Sequence, residues 1–355
     1  MAMLQPKLQS VALKSPSTGK NIVTMLLGTW LIGGVFVDGF AHNHGVVETF
    51  FTPWHAILYS GFVATAAWIL WMIAQIKRKN GVSWAQAVPR GYGLGVIGIF
   101  VFLLGGLGDM AWHEIFGIEK DVAALLSPTH LILLAGALLI LTSPFRVGWT
   151  DSAMTAPTWR EFLPVLLSTV LTVSTICFFL MYAWMFRQNI PAEGNVQYFA
   201  THFAGANFYR LQELNNKYGL VTILLDTIVL VAPMFLLMSR WKTPFGTYAF
   251  LFGFVGLIMG VLDGFMDWVV IPVILVAGLL ADVLLKTLNP SPERMWGYRV
   301  IALAVPLTLW GVYYAGMAVL DGIGWAPELW AGSVVEAMLV SLGVSLLALP
   351  PRRGD

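Results

Sequence analysis

Five of the six histidines of this chain fall in two short polar intervals of its first half, each beside an aspartate. The first interval reads Asp38-Gly-Phe-Ala-His42-Asn-His44, then Glu48-Thr-Phe-Phe-Thr52-Pro53-Trp54-His55. The second reads Asp109-Met-Ala-Trp112-His113-Glu114, then Glu119-Lys120-Asp121, and reaches Ser127-Pro128-Thr129-His130. Each holds Asp-x3-His, followed 13 or 17 residues later by a histidine in a Thr/Ser-Pro-x-His start. Residues four apart on a helix share a face, so Asp38 with His42, and Asp109 with His113, can address one centre. Thr52 and Ser127 are suited to cap a returning helix with proline at its first position, which puts His55 and His130 in its first turn. One carboxylate and two imidazoles form a facial ligand set with open positions. That set suits copper or non-haem iron better than calcium or magnesium.

Single residues of these kinds have plainer roles, an aspartate as a cap and a buried histidine as a hydrogen-bonded core group. The doubled triplet and the cost of ionisable groups inside a membrane favour metal binding; a proton relay or salt-bridge network is the rival. His44, Glu48, Glu114 and Glu119 are expected as extra ligands or orienting partners. His202 is expected to be structural. Asp226 and Asp282 fall within apolar segments, where helix pairing competes with proton transfer. Asp263, Asp267, Asp321 and Glu336 form either a purely carboxylate cluster or the worn remnant of a repeat.

The elements that must position these residues follow from composition. Of 355 residues, 58% are hydrophobic and 11% charged, and the mean hydropathy is +0.76. An ordinary soluble domain is about 25% charged, so this chain reads as a protein dissolved in lipid. The lone cysteine, Cys177, excludes a disulfide framework or thiolate metal site. A net charge of +1 with no basic block argues against a nucleic-acid partner. Apolar segments at 21–41, 54–76, 92–112, 128–145, 162–186, 219–238, 246–267, 269–286, 300–320 and 329–349 are each long enough to span a bilayer as a helix. The expected fold is therefore all-α, a polytopic transmembrane bundle of about ten spans in helical hairpins. No cleaved signal peptide is expected.

If residues 1–20 are cytoplasmic, sixteen of the twenty Lys and Arg fall on the inner side and four outside. Both termini are therefore expected to be cytoplasmic, and the triplets to lie toward the extracytoplasmic side of a plasma or inner membrane. The chain divides into an N-terminal segment (1–20), metal-binding hairpins (21–145), two spans joined by a long outer loop at 187–218 (146–245), and further hairpins (246–355). The last region keeps an acid at the equivalent point, Asp263-Gly-Phe-Met-Asp267 and Asp321-Gly-Ile-Gly-Trp325, without histidines. The pattern reads as a repeat whose chemistry is retained in the first half.

The motif Asp38-x3-His42-x12-His55, with Glu48-Thr-Phe-Phe-Thr52-Pro53-Trp54 before its last histidine, resembles that of the catalytic membrane chain of the copper membrane monooxygenases, the particulate methane and ammonia monooxygenase family. Asp109-x3-His113 and Ser127-Pro128-Thr129-His130 resemble that family's second motif, with Asp109 where the family has asparagine and a slightly longer loop. The resemblance covers about residues 20–145. It implies copper at Asp38, His42 and His55, with these as the catalytic residues, and a second metal at Asp109, His113 and His130. It further implies O2-dependent hydroxylation of a small apolar substrate or ammonia, companion subunits, and a quinol as electron donor. The other readings are iron in place of copper, a membrane metal-binding or transport protein, and a non-catalytic structural subunit.

Overall fold

A computed structural model of the protein describes residues 15–45, 51–117, 122–203 and 206–350. Among these residues there is no strand, only an isolated bridge between Ala192 and Ile323. The expected all-α polytopic bundle is what the chain forms. The hairpins are antiparallel pairs: α1 (Thr18–Asn43) with α2 (Pro53–Asn80), and α3 (Gly93–Phe116) with α4 (Pro128–Leu141), which bends by 40° into α5 (Ser143–Trp149). Then come α6 (Trp159–Phe179), α7 (Ala206–Arg240), α8 (Thr247–Gly260), α9 (Val270–Leu288), α10 (Trp296–Leu320) and α11 (Pro327–Ala348). Among the described residues eight helices are long and apolar enough to cross a membrane, and the bent pair α4–α5 makes a ninth. The remaining apolar segment, 246–267, folds as a shorter helix ending in a 3-10 turn, Thr247–Asp263. Large apolar side chains such as Leu26, Leu104, Ile97 and Val319 lie on the exterior, as expected where the solvent is lipid rather than water.

α6 is the hub. It is 72% buried over its apolar stretch, more than any other long helix, and it packs on α1, α4, α5, α7 and α8. A capping box of Thr158 and Glu161 starts it. Its threonine hydroxyls find backbone acceptors one turn back, as in Thr169 to Val165 O (2.9 Å) and Thr175 to Leu171 O (2.7 Å). These bonds let threonines sit in the core with their donors satisfied.

Glycines set how closely the site-bearing hairpins close. A Cβ added at Gly34 would lie 2.5 Å from Leu58 Cα, and one at Gly61 would lie 2.7 Å from Leu31 Cα. In the second hairpin a Cβ on Gly136 would lie 2.6 Å from Phe102 N. Only hydrogen at these positions lets the two backbones of each pair touch.

Three boundaries differ from expectation. The segment expected as a loop to residue 218 is largely helical: Glu193–His202, then the first turns of α7. With 35 residues, α7 is about 50 Å long and overshoots a bilayer core. Pairs at i,i+4 support its polar end, Gln212 to Asn216 at 2.9 Å and Lys217 to Glu213 at 2.6 Å. The segment 162–186 is helical only to Phe179, where a 3-10 turn (Met181–Ala183) and a short helix (Met185–Gln188) follow. The segment 246–267 ends as helix at Gly260 and turns through Gly264 and Phe265, both with positive φ.

Candidate metal centre

The first triplet is built at the end of α1 and the start of α2. Thr52 caps α2 as expected, its Oγ1 accepting the His55 N–H at 3.5 Å and lying 3.1 Å from His55 Nδ1. Asp38 and His42 sit one turn apart on α1. Asp38 presents one oxygen to each ring, Oδ1 to His55 Nε2 at 3.3 Å and Oδ2 to His42 Nε2 at 3.7 Å.

The second triplet repeats this plan at the end of α3 and the start of α4. Ser127 caps α4 by accepting the His130 N–H at 3.3 Å. Here Oδ1 of Asp109 faces both rings, His130 Nε2 at 3.0 Å and His113 Nε2 at 3.5 Å. The same oxygen accepts the Thr129 hydroxyl at 3.1 Å, and Oδ2 is reached by the Tyr59 hydroxyl at 3.4 Å. Asp109 is 2% exposed, against 14% for the Asp38 side chain.

Within each triplet one ligand atom from every residue lies within 4.8 Å of the other two. Donors held about 2 Å from a shared ion stand roughly 3–4 Å apart, and the carboxylate–imidazole separations fall in that interval. The ring orientation points the same way. His113 Nδ1 faces Gly117 O at 3.4 Å, and His130 Nδ1 faces Ala124 O. A carbonyl only accepts, so Nδ1 carries the hydrogen and the neutral ring's Nε2 keeps its lone pair. That lone pair then meets a carboxylate oxygen. Two acceptors this close repel unless a proton or a metal cation lies between them. An Nδ1–H held by a carbonyl is also the usual support of an Nε2 metal ligand.

The two triplets are neighbours. The rings of His55 and His113 are 6.4 Å apart between centroids, and those of His42 and His55 also 6.4 Å. Asp38, His42, His55, Asp109 and His130 line one cavity of about 90 Å³, together with apolar groups such as Leu58, Phe102, Leu133 and Phe178. Sequence reasoning missed Tyr59 and Thr129. Thr129 stands beside His130 in the motif, while Tyr59 has only its place one turn after His55 as a signal.

The remaining candidates separate clearly. His44 is exposed and stacks on Phe40, its Nδ1 2.8 Å from Phe40 O, and Glu114 is exposed; neither belongs to a triplet. Glu48 and Glu119 lie outside the described residues. His202 is an exposed helix-end residue stacked on Tyr198. Asp226 accepts the Met185 N–H at 2.8 Å and so holds the break after α6. Asp282 accepts the Tyr248 and Ala249 N–H groups at 3.1 and 2.9 Å, capping α8 from α9. Both acids therefore pair segments. Asp263, Asp267 and Asp321 do not bring their oxygens together as an ion site. Burial, and then the charges of Asp263 and Asp321, push the Asp267 carboxyl above its ordinary value, with Arg187 acting the opposite way. Glu336 is exposed along α11.

This is a multi-pass membrane protein with two Asp/His/His groups able to hold metal. Comparison with family models, curated proteins and solved structures gave no match.

Proposed function

We propose that the chain is a membrane metalloenzyme similar to the catalytic membrane chain of the copper membrane monooxygenases, with copper at both triplets and O2-dependent hydroxylation of a small apolar molecule or ammonia as its reaction. The observation that carries this reading is the second triplet, where both Nδ1 atoms face carbonyls and both Nε2 atoms face Asp109, an arrangement satisfied by a metal cation or a proton; the first triplet gathers the same three residue types within the same reach. Copper fits a set of two imidazoles and one carboxylate better than a hard cation does; iron is the alternative. Copper, when bound, supplies the redox chemistry and open positions at which O2 is activated.

The residues of the chain do the rest. Asp38, His42 and His55, and likewise Asp109, His113 and His130, supply charge and fixed donors. The Nδ1 contacts to Thr52, Gly117 and Ala124 set ring orientation. Leu58, Phe102, Leu133 and Phe178 give the small cavity beside the triplets an apolar wall suited to an apolar molecule. Electrons come from an outside donor of the quinol type, and the assembly is completed by companion subunits. The cations Lys77, Arg78, Lys79, Arg146 and Arg240 collect at the far ends of their helices from the triplets, which supports extracytoplasmic triplets. A translocation path is less well supported, because Asp226 and Asp282, the acids available to continue it, are engaged with backbone amides.

Elemental analysis of detergent-purified protein, with spectroscopy of the bound metal, tests the proposal. Copper near two per chain, falling toward one in His55→Ala or His130→Ala, is expected. Absence of bound transition metal, or a haem absorbance band, overturns it.

A further inference from the structure

Beyond the six ligand candidates, one side chain crosses from the first hairpin into the second site. We infer that Tyr59 is a positioning residue for Asp109: its phenol holds Oδ2, so that Oδ1 alone serves the imidazole pair. The inference rests on the metal-site reading above and adds to it how the second carboxylate is made to act.

The two carboxylates are used differently. Asp38 divides its oxygens between its histidines, Oδ1 toward His55 and Oδ2 toward His42. At Asp109, His113, His130 and the Thr129 hydroxyl all address Oδ1, while the Tyr59 hydroxyl stands 3.4 Å from Oδ2. That separation is long for an O–H···O bond, as hydrogen bonds in unloaded sites often are.

The place of the phenol is built, not incidental. Tyr59 lies one turn after His55 on α2, with ring centroids 6.3 Å apart. Its ring enters a slot at Gly106 of α3, three residues before Asp109. A Cβ at Gly106 would sit 2.8 Å from Tyr59 Cε1 and 3.4 Å from its hydroxyl. The glycine of one hairpin thus makes room for the tyrosine of the other, and the tyrosine reaches the carboxylate next to that glycine. An ion at the second triplet is then held by a carboxylate fixed through one oxygen. An ion at the first meets a carboxylate whose two oxygens both face its histidines.

The test uses full-length protein in detergent and Cu(II) as the probe, in a His42→Ala background for the second site and a His113→Ala background for the first. Tyr59→Phe is expected to weaken Cu(II) at the second site by roughly 10-fold, the lower end of the effect of losing an outer-sphere partner, and to change its EPR hyperfine pattern. The first site should keep its affinity and spectrum. Gly106→Ala keeps the phenol but displaces the ring, and should give the same shift. The Tyr59→Phe/Gly106→Ala double variant should be no worse than either single variant, since both remove one contact. An unchanged second site in Tyr59→Phe overturns the inference, as does an equal loss at both sites, which would mark general packing. If the chain with Tyr59 and Gly106 intact binds no Cu(II) in either background, the metal reading itself fails and takes this inference with it.

Discussion

The two histidine hairpins carry the same residues at nearly the same spacing, yet the structure gives them different surroundings. Asp109 is almost fully enclosed and meets two imidazoles and two hydroxyls. Asp38 is more open, and its described partners are the rings of His42 and His55. Ligand spacing sets which residues can meet, while the neighbouring helices decide how firmly they are held. Buried carboxylates surrounded by donors are costly to disturb, because each donor left without an acceptor carries its own desolvation penalty.

The sharpest way to break this comparison is to remove each carboxylate in turn. Asp109→Ala takes one acceptor from each of the Thr129 and Tyr59 hydroxyls in an enclosed site and should cost about 2–4 kcal/mol, seen as a lower unfolding midpoint in detergent. Asp38→Ala should cost about 1 kcal/mol. Equal losses would mean that the two surroundings are energetically alike.

The next effect concerns the distance between backbones. Gly136→Ala places a methyl against Phe102 N, and Gly34→Ala places one against Leu58 Cα. Each should destabilise by about 1–3 kcal/mol through overpacking. Each should also weaken Cu(II) only at the triplet of its own hairpin, measured by chelator competition in backgrounds that keep one site. Weakening of both sites by either substitution would show that the hairpins do not close independently.

The smallest effect belongs to the second half. Asp321→Asn should leave metal content unchanged and alter stability by less than about 0.5 kcal/mol, since its oxygens do not converge with those of other acids into an ion site. A loss of bound metal in this variant would erase the distinction between the two halves.

Much of the site is legible in the sequence because it depends on local geometry. Asp-x3-His lies on one helix face, and Thr52 and Ser127 cap their helices where Pro53 and Pro128 predict. Each triplet therefore closes across a single hairpin. The residues that escape sequence reading act across longer distances. Tyr59 is 50 positions from Asp109, and nothing in its neighbourhood marks it as different from other interfacial tyrosines. The mistaken loop before α7 has a related origin, because a polar helix beyond the bilayer lacks the apolar run that marks its membrane part.

By itself the sequence determined the solvent, the helical class and the two Asp/His/His groups, since these follow from transfer free energy and from 3.6-residue periodicity along a continuous chain. Only the tertiary structure decided that both sets share one chamber, that Asp226 and Asp282 join segments rather than mark a path, and that α6 is the hub. Those outcomes depend on which faces of distant helices touch. That is fixed by glycine contacts and side-chain shape, summed over the whole bundle.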